Sequence, residues 1–196
     1  MSILLNKDYW NDRYLHHQTG WDLGVISTPL KEYIDQLKDK NTAILIPGCG
    51  NGYEAQYLLQ KGFLNITLVD IAPLATDAIK EKLAQYINNG LQLITGDFFA
   101  LTSSYDLILE QTFFCALDLS LRTAYVNQMH ALLKPNGKLV GLLFNRNFEG
   151  GPPFGGKEAE YQSLFENKFH IQVMHKAYNS IEPRAGTELF IILQKK

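Results

Sequence analysis

The sequence predicts an α/β fold: an open, mostly parallel sheet of seven strands, helices packed on its faces and an antiparallel last strand. Three observations predict it. Short β-rich apolar runs alternate with amphipathic segments from residue 43 to residue 144. The first run ends in a glycine-rich turn, Pro47-Gly48-Cys49-Gly50-Asn51-Gly52. From residue 158 the alternation stops, and two apolar runs follow one another as a hairpin would.

The elements follow in order. Residues 1 to about 40 precede the first strand and hold Tyr9, Trp10, Tyr14 and Trp21, too many aromatics for an idle tail. Strands are expected at 43–46, 66–70, 91–95, 106–110 and 139–144, each rich in Ile, Leu and Val. Helices are expected at 53–61 and 73–86, with Pro73 at a first helical position and Asn88-Asn89-Gly90 as the stop. A third lies at 120–133, and Lys134-Pro135-Asn136-Gly137 should turn the chain into the fifth strand. Right-handed crossovers join these parallel strands. A helix at 158–167 then leads to strands at 169–178 and 187–193, connected through Glu182-Pro183-Arg184-Ala185-Gly186.

Composition narrows the function. The 196 residues suit one domain spanning 1–196, given about 150 residues per domain. Eighteen basic and 20 acidic residues leave a net charge of −2, which argues against a dedicated nucleic-acid or membrane-surface binder. Apolar residues at 46% and charged residues at 19% mark a globular chain. Two cysteines, Cys49 and Cys115, make no disulfide framework and fit a reducing compartment. The opening Met1-Ser2-Ile3-Leu4-Leu5-Asn6-Lys7-Asp8 lacks the basic and apolar regions of a signal peptide, and no apolar run is long enough to span a membrane. The expected location is the cytoplasm, and the expected partner is a small molecule. Oligomeric state is left open, with a monomer among the options.

Glycines at a strand-to-helix turn let backbone approach a ligand, and the ligand of an open α/β sheet lies beyond the carboxyl ends of its strands. Asp70 ends the second strand about 20 residues on, where a carboxylate accepts from ribose hydroxyls. The turn reads G-x-G-x-G: Tyr53 stands where a dinucleotide fingerprint has its third glycine, and no Gly-Lys-Ser/Thr of a P-loop follows. This arrangement resembles that of class I S-adenosylmethionine-dependent methyltransferases, a Rossmann-like fold. The resemblance implies that Asp97, after the third strand, meets the adenine amine and that Phe98 covers the ring.

The chain as a whole resembles the thiopurine S-methyltransferase family, especially its halide and thiol methyltransferases. The resemblance rests on Tyr9-Trp10 with Tyr14 and Gly20-Trp21-Asp22, on the glycine turn, on Phe113-Phe114-Cys115-Ala116, on Leu132-Leu133-Lys134-Pro135-Asn136-Gly137 and on Gly150-Gly151-Pro152-Pro153-Phe154. It implies an N-terminal helical lid segment over 1–40, ordering on cofactor binding up to about residue 28, and a Rossmann-like core over 41–196. It implies that Trp10, Tyr14 and Trp21 close over S-adenosylmethionine, and that Gly48, Asp70, Asp97, Phe98 and Gln111 contact it. Tyr14 departs from the tryptophan common in the family. Trp21, Phe113 and Arg184 are the acceptor-pocket candidates, the last through an arginine linked to acceptor binding in the thiopurine enzymes.

The expected reaction moves a methyl group to a small soft nucleophile, a thiol, thiopurine-like sulfur or halide, and leaves S-adenosylhomocysteine. No dedicated base stands in the motifs, and the segment after the fourth strand, Glu110-Gln111-Thr112-Phe113-Phe114-Cys115, is mostly apolar and aromatic. A soft acceptor needs little proton removal. The aromatic faces of Trp10, Tyr14, Trp21, Phe113 and Phe114 suit a soft cation, and Phe154 is expected to shape the pocket with them. Oxygen or nitrogen methylation, nicotinamide-dependent oxidoreduction and a non-enzymatic binding module are the competing readings. No metal site is expected: His16 and His17 are adjacent and point apart on a helix. Cys49, Cys115, His130, His170 and His175 are read as structural, Glu110 as either a strand end or a cofactor neighbour, and Arg122 as an exposed ion pair.

Overall fold

The computed structural model describes residues 4–196; Met1–Ile3, part of the expected lid segment and of the stretch read for a signal peptide, lie outside the described residues. Seven strands form one sheet: β1 (Ile44–Pro47), β2 (Ile66–Asp70), β3 (Leu91–Thr95), β4 (Tyr105–Gln111), β5 (Leu133–Phe144), β6 (Phe169–Lys176) and β7 (Glu188–Lys195). Their order is β3-β2-β1-β4-β5-β7-β6. β1 to β5 are parallel, and β7 runs antiparallel to both neighbours. Six helices accompany them: α1 (Lys7–Leu15), α2 (Thr28–Asp35), α3 (Tyr53–Gln60), α4 (Pro73–Lys82), α5 (Arg122–Leu132) and α6 (Glu158–Phe165).

Every residue of β1 and β2 is buried, as in a sheet covered on both faces. Alternation splits them between two cores. Leu45, Val69 and Ile108 face Tyr125, Met129 and Leu132 of α5 and Phe165 of α6. Ile44, Ile46, Leu68, Leu107 and Leu109 face Leu30 and Ile34 of α2, Leu58 of α3 and Ile79 of α4. Among the described residues no helix is long and apolar enough to cross a membrane.

Two expected boundaries moved by four residues or more. The segment 134–137 turns as its sequence predicts, with Asn136 at φ 63°. Leu133 nevertheless pairs with Tyr105 before Lys138 pairs with Leu107, so the turn is a bulge inside β5 rather than a loop ahead of it. The helix expected over 73–86 ends at Lys82, and a 3-10 turn spans Ala84–Tyr86. Both X-Pro bonds of Gly151-Pro152-Pro153 are cis.

α1 has no buried residue, and a nine-residue helix alone is marginal in water. It is held from outside itself. Asn6 caps it by accepting the Tyr9 amide at 3.0 Å, and Asn11 accepts the amide of Leu74 at the head of α4 at 2.9 Å. Trp10 and Tyr14, four residues apart, lie on one face. The segment therefore runs over the carboxyl ends of the strands.

Gly141 of β5 pairs with Glu110 of β4, and a Cβ at 141 would overlap the Cβ and carbonyl oxygen of Glu110. Gly141→Ala is expected to cost about 1–3 kcal/mol by overpacking, read as a melting temperature ~2–10 °C lower. A variant that melts with the wild type would show that the two strands part without strain.

Candidate active site

The chain leaves β1 for β2 and β3 on one side, then returns to β4 on the other. Beyond the carboxyl ends of β1 and β4, at this switch point, lies a cavity of about 1020 Å³. Its walls come from the glycine turn, the ends of β2 to β5 and the N-terminal segment.

The turn after β1 takes three left-handed glycines, at φ 56° for Gly48, 50° for Gly50 and 67° for Gly52. A Cβ at Gly48 would overlap the ring of Phe113, so the turn and the β4 loop meet only because the side chain is missing. Asp70 braces the turn: its Oδ2 accepts the Gly50 amide at 3.0 Å and its Oδ1 accepts the Ala72 amide at 2.9 Å. A carboxylate has about four lone-pair positions, so these bonds do not use up its capacity to accept. Burial pushes the Asp70 carboxyl up, while those backbone amides draw it back.

Asp97 and Phe98 follow β3. Asp97 is exposed on the cavity rim, where Oδ1 caps a 3-10 turn by accepting the Phe99 amide at 2.9 Å. Phe98 is buried at the cavity floor against Phe113 and Tyr125, with ring centroids 5.1 and 6.1 Å away. After β4, Gln111 and Phe113 line the cavity. The amide oxygen and nitrogen of Gln111 are buried with no hydrogen-bond partner among the described residues.

Trp10, Tyr14 and Trp21 form one edge-to-face cluster, Trp21 lying 5.5 Å from Trp10 and 5.8 Å from Tyr14 between centroids. Burial, with Asp70 nearby, pushes the Tyr14 hydroxyl well above the usual phenol range, so it stays protonated. Asp22 fastens the same segment to the glycine turn by accepting the side-chain amide of Asn51 at 2.7 Å.

Arg184, an expected acceptor-pocket residue, is buried. It donates to the Trp21 carbonyl at 2.7 Å and pairs with Glu188 at 3.3 Å. Glu54, a second buried carboxylate on the cavity wall, is pushed up by burial and drawn back by the backbone amides of Glu54 and Ser27 and, last, by the charge of Arg184. Thus Arg184 joins the N-terminal segment to β7 across 163 residues of chain.

All the sequence-predicted contact residues, Trp10, Tyr14, Trp21, Gly48, Asp70, Asp97, Phe98, Gln111, Phe113 and Arg184, line this cavity. Two aromatics do not. Phe114 points into the core against Tyr125 and Tyr161, because the chain turns between Phe113 and Phe114. Phe154 lines a small neighbouring cavity of about 190 Å³. Phe144, Arg146 and Phe148 take the wall instead; their place at and just past the end of the fifth strand was the signal that could have found them. Among the described residues Arg122 makes no ion pair: it donates to the Gly155 carbonyl at 2.6 Å and lies over the Phe114 ring at 4.8 Å. No metal-binding cluster occurs among the described residues.

A sheet of this order, with an antiparallel seventh strand and a glycine-turn cavity at the switch point, is the Rossmann-like methyltransferase fold. Solved structures agree. A Burkholderia thailandensis 1,6-didemethyltoxoflavin-N1-methyltransferase, with its acceptor and S-adenosylhomocysteine bound, superposes with a TM-score of 0.79 at 18% identity, covering 97% of this chain and 87% of that one. Magnesium protoporphyrin IX methyltransferase from Synechocystis PCC 6803 gives 0.72 at 15% identity, covering 97% and 95%. The family model for thiopurine S-methyltransferase matches residues 5–192, and the chain belongs to that family.

Similar curated proteins include a probable thiol methyltransferase 2 of Arabidopsis thaliana, 29% identical over 79% of this chain and 70% of its own length. A thiopurine S-methyltransferase of Nitrosospira multiformis is 25% identical, covering 88% and 86%. Thiocyanate methyltransferase 1 of Brassica oleracea is 27% identical, covering 87% and 77%. Membership in a methyltransferase family decides against the nicotinamide reading of the glycine turn.

Removing the Arg184 guanidinium leaves Glu188 buried without its partner. Arg184→Met is expected to cost about 3–5 kcal/mol, and adding Glu188→Leu should return part of it, because a lone buried charge is worse than none. Thermal melts of the single and double variants test this; a double variant less stable than Arg184→Met contradicts it.

Proposed function

We propose that the chain transfers a methyl group from S-adenosylmethionine to a small sulfur nucleophile, a thiol, thiocyanate or thiopurine-like sulfur, with halide as a further soft acceptor. The observation that carries the reading is the strand-end crevice itself: a glycine turn open to backbone contact, the carboxylate of Asp70 at its wall and the amide of Gln111 unpartnered among the described residues, in a chain of this family. Relatives named for thiol, thiocyanate and thiopurine acceptors support the acceptor class.

The residues present fit the cofactor. Asp70 accepts from the ribose hydroxyls with the lone pairs its backbone amides leave free. The backbone of Gly48 and Gly50 lies against the nucleoside, Asp97 meets the adenine amine and Phe98 supports the ring from below. Gln111 satisfies its amide on the bound molecule. When bound, S-adenosylmethionine supplies a methyl carbon on a positive sulfonium, open to in-line attack. Trp10, Tyr14 and Trp21 place aromatic faces around the crevice, and such faces are worth roughly 0.5–2 kcal/mol to a desolvated cation.

Positioning is the larger contribution of the chain, since holding two reacting atoms in line can remove about 7–11 kcal/mol of barrier. Phe113, Trp21 and Arg184 form the acceptor side. No histidine or lysine is among the lining residues, so the walls suit an acceptor that is already nucleophilic. Residues 4–28 act as a lid: α1 buries nothing of its own, and its aromatic face gains a partner when the crevice fills. The free thiols of Cys49 and Cys115, both pushed up by burial, suit a reducing compartment, and the cytoplasm is the location this reading carries.

Methyl transfer is tested with bisulfide, methanethiol, thiocyanate, iodide and 6-mercaptopurine, read as S-adenosylhomocysteine release. Turnover is expected on the sulfur acceptors; turnover confined to hydroxyl or amine acceptors would sink the acceptor class. Asp70→Ala should weaken S-adenosylhomocysteine binding by ~1–3 kcal/mol in calorimetry, through lost charge-assisted hydrogen bonds; unchanged affinity removes Asp70 from the site. Limited proteolysis near residues 10–25 should slow when S-adenosylhomocysteine is added, and equal cleavage with and without it counts against a lid.

A further inference from the structure

Glu110 near the carboxyl end of β4 is completely buried. Its Oε1 accepts the amides of Phe113 at 2.8 Å and Phe114 at 2.9 Å, and its Oε2 accepts the Tyr125 hydroxyl at 2.6 Å. A buried carboxylate is costly, and an apolar side chain of similar size would fill the same space at less expense of free energy. What the carboxylate provides is an acceptor for two backbone amides that have left the sheet and would otherwise be unpaired inside the core.

Those amides belong to an unusual turn. Thr112 sits at φ 59°, a left-handed conformation that a β-branched residue rarely adopts. The turn sends neighbouring side chains to opposite places. Gln111 and Phe113 go to the cavity wall, whereas Phe114 goes into the core 4.9 Å from the Tyr125 ring. Gly141 of β5 leaves the room for this arrangement, since a Cβ there would overlap Glu110.

We propose that Glu110 is a positioning residue for methyl transfer: its carboxylate holds turn 111–114 in the left-handed form that presents Gln111 and Phe113 to the crevice. The inference rests on the crevice being the methyl-transfer site.

The groups facing Glu110 are few. Tyr125 donates from α5, and Cys115 lies nearby in the 3-10 turn that follows, with Arg184 and Glu188 beyond it; β5 offers only Gly141. All three donors point hydrogens at the carboxylate, so the turn is built around the anion. Burial pushes the Glu110 carboxyl up to about 7. Protonation removes the charge that strengthens both amide bonds on Oε1, and the clamp loosens on the acid side of neutrality.

The test is S-adenosylhomocysteine binding to the full chain by calorimetry between pH 6 and pH 8. Wild-type affinity should fall about 3-fold or more as the pH drops through the range in which Glu110 takes up its proton. Glu110→Gln keeps an acceptor for both amides and cannot ionise, so its affinity should be a few-fold weaker at pH 8 and flat with pH. Glu110→Ala strands three donors and should bind about 10-fold or more weakly. Leu193→Ala, in the core at the opposite end of the sheet, is the control: a comparable loss in Tm with affinity within about 2-fold of wild type.

Wild-type affinity of Glu110→Ala, an equal loss in Leu193→Ala or a wild-type pH slope in Glu110→Gln would each overturn the proposal. Should Glu110→Ala fail to fold, the pH slope of Glu110→Gln decides. A wild-type chain that binds no S-adenosylhomocysteine at any pH overturns the methyl-transfer reading itself, which distinguishes that failure from the loss of the Glu110 role alone.

Discussion

Backbone amides that leave a sheet at its carboxyl edge must find acceptors, and in this protein side-chain carboxylates at the ends of two strands take them. Asp70, ending β2, receives the Gly50 amide from the turn after β1. Glu110, next to last in β4, receives the amides of Phe113 and Phe114. These bonds fix the two turns that flank the crevice, and their carboxylates are themselves buried, so each bond is charge-assisted and would be costly to lose. The shape of the site is therefore set by acceptors placed at strand ends, with glycine supplying the close approach of Gly48 to Phe113.

The N-terminal segment depends on the same frame. It owns no core, and its attachments are a few polar bonds and one aromatic cluster. Asn11 engages the head of α4, Asp22 engages Asn51 in the glycine turn, and the Trp21 carbonyl engages Arg184. Each attachment lands beside the crevice. Local stability of this kind is low because few apolar contacts are buried, and a filled crevice adds contact area on the aromatic face. Arg184 links this segment to the antiparallel end of the sheet, so the N-terminal segment and β7 share one buried guanidinium.

Much of this was legible before any coordinates. The alternation of strands and helices, the G-x-G-x-G turn and Asp70 at the end of the second strand are local patterns, and local patterns survive folding. Gln111, Phe113 and the N-terminal aromatics came from resemblance, and the cavity gathers them. Phe114 and Phe154 were misplaced for a shared reason: in a turn, neighbouring side chains diverge, and sequence adjacency does not say which one faces the ligand. The bulge at 134–137 was missed as part of a strand because its turn chemistry is real, and only the pairing of Leu133 with Tyr105 shows the strand begins earlier. Arg122, read as an exposed ion pair, instead reaches the Gly155 carbonyl, because the partner of a long charged side chain is decided by elements far away in the chain.

The sequence by itself determined the fold class, the order of elements and the place of the glycine turn, because hydrophobic period, glycine freedom and strand-end acids are properties of short segments. Only the tertiary structure decided that Glu110 faces inward to hold a left-handed Thr112, that Arg184 reaches Trp21, and that Phe144, Arg146 and Phe148 complete the wall. Those facts depend on which side chains meet across long separations, and the need to pair every buried charge and amide selects among arrangements that the sequence alone leaves equivalent.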